Sequence, residues 1–226
     1  MEKLYKNYFP NIVYIYPGKP EQDNKNIIVC EESKKGFYSY KCVEYVYSKF
    51  PNYKGYLLIN DDDYMKVWEL ENLDFNIPWF YIYEFQELNS DWWHFDRCEK
   101  LFEMVDNNLG WKKNITKFFG KYKLIFGFSD LYYIPNYYIQ DFIKLLDSMY
   151  ESRIFLECSI HTSFAILSAP RYQVFDINAL WGHDSSHVVN FLYKDFRQIS
   201  IHPIKLSNSD LRDSVDKYTE NQIKYF

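Results

Sequence analysis

Three consecutive aspartates, Asp61, Asp62 and Asp63, follow the largely apolar run Tyr56–Asn60 in "KGYLLINDDDYMKVW". Adjacent carboxylates repel one another unless something positive lies among them, so the trio asks for a cation. Alternate residues of a strand share a face, which would bring Asp61 and Asp63 together and send Asp62 elsewhere. Oxygen donors beyond the carboxyl end of a strand suit a hard divalent ion, Mn2+ or Mg2+, with open positions left for phosphate oxygens. An exposed Asp-rich turn that merely ends the strand reads the same way.

Other residues could also do chemistry. In "WGHDSSHVV", His183 and His187 are four apart and with Asp184 could clasp a transition metal. The competing reading has Asp184 or Ser185 capping a helix. Trp92 and Trp93 in "SDWWHF" could stack on a sugar or pack in the core.

The elements that must position these residues alternate between strand and helix. Strand patterns cover "NIVYIY" (11–16), "NIIVCEE" (26–32), "GYLLIN" (55–60), "WFYIYEFQ" (79–86), "KLIFGF" (123–128), "RIFLEC" (153–158), "YQVFDI" and "QISIHP". Helical spacing covers "YSYKCVEYVYSKF" (38–50), "DRCEKLFEMVDNNLG" (96–110, with Gly110 at its end), "YYIQDFIKLLDSMY", "TSFAILSA", "SSHVVNFLYKDF" and a polar amphipathic tail from residue 209. "SDLYYIP" reads as a loop leading to Pro135. This order predicts an α/β fold: one domain over residues 1–226 with a central mixed, mainly parallel sheet flanked by helices.

Composition bounds the classes of function. The 226 residues are 47% hydrophobic and 25% charged, ordinary for a globular chain able to bury a core. A net charge of -5 without a dense basic block argues against nucleic acid as a partner. No apolar run reaches membrane-spanning length, and the polar start "MEKLYKNY" lacks a signal-peptide pattern. The four cysteines, Cys30, Cys42, Cys98 and Cys158, show no CxxC spacing and read as reduced thiols, so a cytoplasmic protein is expected. The 21% aromatic content, with 23 Tyr and 19 Phe, fits either an AT-rich coding bias or a surface that stacks on sugars or bases.

With these residues in view, "KGYLLINDDDYMKVW" resembles the DxD region of nucleotide-sugar-dependent glycosyltransferases of the GT-A fold. It is most similar to the small metal-dependent glycosyltransferases of large algal DNA viruses, and more loosely to exostosin-like enzymes. "ALWGHDSSHVVNFLYKDFRQISIHPIKLSN" (179–208) resembles the closing segment of the same family. The resemblance implies a Rossmann-related domain with a nucleotide-sugar half (about 1–95), an acceptor-binding and catalytic half (about 96–208) and a C-terminal helix (209–226). It implies transfer of a sugar from a UDP-linked donor to a glycan or other hydroxyl acceptor, with Mn2+ or Mg2+ bridging the donor's diphosphate. Asp61 would lie near the ribose and metal, Asp63 would ligate the metal, and Asp61 with Asp62 is an alternative pair. His202 would add a metal ligand, and Lys205 would contact the diphosphate. Tyr16 and Pro17 would receive the base and ribose. Glu157 or Asp130 would be the catalytic carboxylate, as base, nucleophile or acceptor-sugar ligand.

Three other readings compete. A glycoside hydrolase would also need two carboxylates, without a diphosphate-binding metal. A non-catalytic carbohydrate-binding module would use the aromatics, with the aspartates holding Ca2+. A nucleotidyltransferase would carry a Gly/Arg/Lys-rich loop after the first strand, of which "YPGKPEQDNK" is a poor version.

Overall fold

The computed structural model describes residues 5–18, 26–34, 36–80, 86–167, 173–174, 177–179, 185–193 and 199–223. In chain order the first elements are β1 (Tyr14–Tyr16), β2 (Ile27–Val29), α1 (Cys42–Lys49), β3 (Gly55–Ile59), β4 (Tyr64–Met65), β5 (Trp79–Phe80) and β6 (Gln86–Glu87). The middle of the chain gives α2 (Glu99–Asp106), α3 (Leu109–Phe119), β7 (Ile125–Phe126), β8 (Leu131–Pro135), α4 (Asn136–Glu151) and α5 (Leu156–Ile166). The last elements are β9 (Gln173–Val174), β10 (Ile177–Ala179), α6 (Ser185–Tyr193), β11 (Ser200–His202) and α7 (Ser209–Ile223). The fold is mixed α/β. Among the described residues, no helix is long and apolar enough to cross a membrane.

The expected single central sheet is not what the described strands form. They fall into four small sheets, ordered β1-β2, β10-β11-β4, β3-β8-β5-β9 and β6-β7. Parallel and antiparallel pairings are mixed: β5 runs antiparallel to β8 and parallel to β9. The strands are two to five residues long, too short for one extended ladder.

The chain divides into two compact units, each assembled from separated stretches. One comprises Met1–Ile12, Ile59–Asp74 and Phe175–Phe226; the other comprises Val13–Leu58 and Phe75–Val174. The larger unit holds the main core, built around α4, α5 and the β5–β8 pair. Phe164 is fully buried and stacks on Phe80 with centroids 4.6 Å apart and planes within 2°, while Phe142 lies 4.8 Å away. Trp79 stacks on Tyr133 across the β5–β8 pair at 4.4 Å. Strand β3 passes close to Tyr133, so a Cβ on Gly55 would collide with the Tyr133 ring. In the smaller unit, Tyr64, Met65, Val188, Phe191, Ile201, Leu211 and Val215 are buried. Asn208 Oδ1 accepts the Leu211 N–H at 3.1 Å and caps α7, whose inward stripe is Leu211, Val215 and Tyr218.

Three local expectations are corrected. "RIFLEC" is not a strand: Leu156 starts α5, which runs on through the expected "TSFAILSA" helix. Every residue from Cys158 to Ile166 is buried, so this helix lacks the polar stripe that would mark a helical period. "SDLYYIP" is not all loop, since Leu131–Pro135 forms β8 with every residue buried. Its Tyr-Tyr-Ile content suits a pleated, buried surface, and Pro135 closes it where α4 begins. Gly110 does not end a helix: α2 stops at Asp106, and Asn108 caps the new helix α3 by accepting the Trp111 N–H at 3.1 Å. The glycine that closes α3 is Gly120, at φ 75.

Two substitutions test this core by chemical denaturation. Phe164→Ala should cost about 3–5 kcal/mol through the cavity it leaves between Phe80 and Phe142. Gly55→Ala should cost about 1–3 kcal/mol by driving a methyl group into Tyr133, and wild-type stability in either variant would refute the packing described.

Candidate functional site

The strand that precedes the aspartates stops at Ile59, and Asn60–Asp63 is a tight turn closed by Asp63 N–H donating to the Asn60 carbonyl at 3.1 Å. Strand alternation therefore does not reach the trio, and the expected convergence of Asp61 with Asp63 is replaced by another arrangement. Asp61 is exposed, Asp62 half-buried and Asp63 buried. Asp62 and Asp63 are the pair that meets, on His202.

Strand pairing explains why. Antiparallel β4 and β11 align Met65 with Ser200 and Tyr64 with Ile201. One further step of that register sets Asp63 against His202. The Lys66 N–H donates to the Ile199 carbonyl at 2.8 Å at one end, and the Ile204 N–H donates to the Asp62 carbonyl at 2.6 Å at the other. His202 Nδ1 lies 3.2 Å from Asp62 Oδ1 and 3.5 Å from Asp63 Oδ1. Lys205 Nζ donates to Asp62 Oδ2 at 2.8 Å, across 143 positions of sequence. Ser200 Oγ donates to Asp63 Oδ1 at 3.3 Å. Ser200 was missed in the sequence, although it precedes His202 by two residues on one strand and so shares its face.

The positive charge that the trio demands thus comes from the protein. Burial works to raise the Asp62 carboxyl, but His202 and Lys205 outweigh it and hold Asp62 down at about 2. A divalent metal fits this arrangement poorly. Asp62 and Asp63 with His202 are donors of a suitable kind. However, Asp61 stands apart on the surface, the Asp63 side chain is wholly buried, and Lys205 occupies the second Asp62 oxygen. Among the described residues, no group of three or more His, Cys, Asp or Glu side chains could hold a metal ion.

The larger unit carries Glu157, Asp130, Tyr16, Pro17, Trp92 and Trp93. Glu157 lies in the first turn of α5, and its carboxyl is pushed up to about 8 by burial and by the charge of Asp130. At neutral pH such a group holds its proton, which suits a general acid better than a general base. Around it, His161 Nδ1 lies 2.9 Å from the Glu157 carbonyl and 3.4 Å from Ser129 Oγ, and Ser129 Oγ donates to the Gly127 carbonyl at 3.1 Å. A Cβ on Gly127 would come within 3.0 Å of His161 Nε2, so glycine permits this approach. Sequence reasoning missed Ser129 and His161, which show no motif and meet through the fold across 32 positions of sequence. Tyr16, at the end of β1, is 45% exposed, and Pro17 follows it. Trp92 stacks on Phe126 at 4.1 Å against the core, whereas Trp93 is exposed. His183 and Asp184 lie outside the described residues, and Ser185 begins α6.

The two carboxyls predict opposite pH dependences. Asp62 titrates lower when folded than its ordinary 3.8, so its contribution is present above that value. On the order of 1–2 kcal/mol should be lost as pH falls from about 4 to about 2, and Asp62→Asn should flatten that slope. Glu157 titrates higher when folded, so stability should fall as pH rises from its ordinary 4.5 to about 8. Glu157→Gln should remove that loss; denaturant titrations across pH check both, and unchanged slopes would refute the assignments.

Comparison of the chain with family models, with curated proteins and with solved structures gives no match in any of the three.

Proposed function

We propose that the chain is a glycosyltransferase that moves a sugar from a nucleotide-diphosphate donor, UDP-linked, to a glycan or other hydroxyl acceptor. One observation carries this reading: the acid turn and the "HPIK" segment, the two stretches on which the resemblance rests, meet in one cluster. Lys205 pairs with Asp62 and keeps 63% of its side chain exposed, so its ammonium is available to an incoming anion. A diphosphate would draw Lys205 from Asp62, and the cation would then oppose the charge that grows on the departing nucleoside diphosphate. His202, buried beside Asp62 and Asp63, would hold the turn in shape while Lys205 moves. The resemblance also implies Mn2+ or Mg2+ and the wider GT-A architecture. In the acid turn, His202 and Lys205 already stand against the two Asp62 oxygens.

A second reading, a glycoside hydrolase, is favoured by Glu157 and Asp130. A carboxyl raised to about 8 beside another carboxylate is the environment in which a general acid works. It predicts cleavage of aryl glycosides that is lost in Glu157→Gln and indifferent to Lys205→Ala.

A thermal-shift screen of nucleotide sugars, with and without Mn2+ and with EDTA, tests the leading reading. A UDP-sugar at about one hundred times its Kd should stabilise the fold by about 2.7 kcal/mol and raise Tm. Lys205→Ala should abolish that shift in a chain that still melts cooperatively, at a Tm lowered by the loss of the Asp62 pair. No response to any nucleotide sugar under any of these conditions would overturn the proposal.

A further inference from the structure

Cys30 and Cys42 meet inside the larger unit although twelve positions separate them. Each is only 1% exposed. Cys30 follows β2, where its N–H donates to the Tyr16 carbonyl at 2.7 Å, and Cys42 opens α1. Both sulfurs are therefore held by hydrogen-bonded backbone. The Cys42 S–H donates to Cys30 Sγ at 2.8 Å, and the Cys30 S–H donates to Glu32 Oε2 at 3.4 Å. Glu32 is half-buried. The three groups form one hydrogen-bonded chain, from Cys42 to Cys30 to Glu32.

We propose that Cys30 and Cys42 are a disulfide-forming pair, with Glu32 positioned to take the first proton. The reaction is thiol–disulfide exchange with a small disulfide, for which oxidised glutathione is the probe. Glu32 accepts the Cys30 proton, and the Cys30 thiolate attacks one glutathione sulfur. The glutathione S–S bond breaks, a mixed disulfide forms at Cys30, and one glutathione thiolate leaves and is protonated. Cys42 then attacks the Cys30 sulfur, and its proton passes to the second glutathione thiolate, which is expelled as the reduced thiol. Two protein S–H groups and one oxidised glutathione thus become one protein disulfide and two reduced glutathiones.

The other two cysteines supply an internal comparison. Cys158 and Cys98 also share a hydrogen bond; burial pushes the Cys158 thiol up, as the bond to Cys30 and burial push up that of Cys42. Both are fully buried, within α5 and just before α2. Cys30 differs in its exposed neighbours Val29 and Glu31 and in its carboxylate partner. The bond would also brace the segment between the two cysteines, whose Phe37 carbonyl accepts the Leu156 N–H at the start of α5.

The test incubates the folded chain with oxidised glutathione, quenches with acid, alkylates remaining thiols in denaturant and maps peptides by mass. Cys30 and Cys42 should be recovered as one linked pair lacking two hydrogens, with Cys98 and Cys158 alkylated. Cys42→Ser should instead trap glutathione on Cys30, and Glu32→Gln should slow formation of the bond several-fold without changing its end point. Equal alkylation of all four cysteines in the wild-type chain, or a glutathione adduct that persists on wild-type Cys30, would overturn the proposal.

Discussion

The smaller unit depends on one electrostatic constraint: two adjacent carboxylates are drawn toward the interior and must be neutralised there. Asp63 is enclosed and Asp62 half-enclosed, and a desolvated carboxylate without a counter-charge costs several kcal/mol. Lys205 supplies a counter-charge, the His202 imidazole lies beside both acids, and both residues come from the far end of the sequence. The turn that holds the acids is therefore tied to the β11 segment by charge as well as by strand pairing. The surrounding arrangement serves this pairing: β4 leaves the turn, β11 lies antiparallel to it, and Ser200 occupies one of the Asp63 oxygens. Because Lys205 is largely exposed while His202 is buried, Lys205 is the member of the cluster that can change partners.

Legibility in the sequence followed the strength of the local signal. The helix at Asn136–Glu151 was plain because its buried residues, among them Ile139, Phe142, Ile143 and Leu146, recur at helical spacing. Helix α5 was obscured because it is enclosed on all sides, and an element without a wet face carries no periodic contrast. For β8 the punctuation misled: Ser-Asp before it and Pro135 after it suggest a loop, while the residues between are buried and paired with β5. Asp61, Asp62 and Asp63 were recognised as a cluster that must meet a cation, and His202 and Lys205 were named as neighbours. Their facing is not legible, because strand alternation ends at Ile59 and Asn60–Asp63 is a turn. Ser129, His161 and Ser200 matter through tertiary proximity, which single positions in a sequence do not display.

Environment sorts the carboxyl groups. Asp62 and Glu157 begin from similar intrinsic acidity and are moved in opposite directions, one to about 2 beside cations and the other to about 8 through burial and the neighbouring Asp130. One unit holds a carboxylate that stays charged down to acid pH, and the other holds a carboxyl that keeps its proton at neutrality. The first suits holding a cation such as the Lys205 ammonium; the second suits donating a proton.

The β4–β11 ladder has a consequence for how this chain can tolerate change. Tyr64 and Ile201 are directly paired, and no spacer separates Tyr64 from Asp63 or Ile201 from His202. The meeting of acid and imidazole is thus fixed by residue parity along two strands rather than by side-chain fit. Inserting one residue on either side of that pair would reverse the facing of everything beyond it, whereas many conservative replacements nearby would leave the geometry intact. Insertions and deletions, more than point changes, are the kind of variation this part of the molecule is built to forbid.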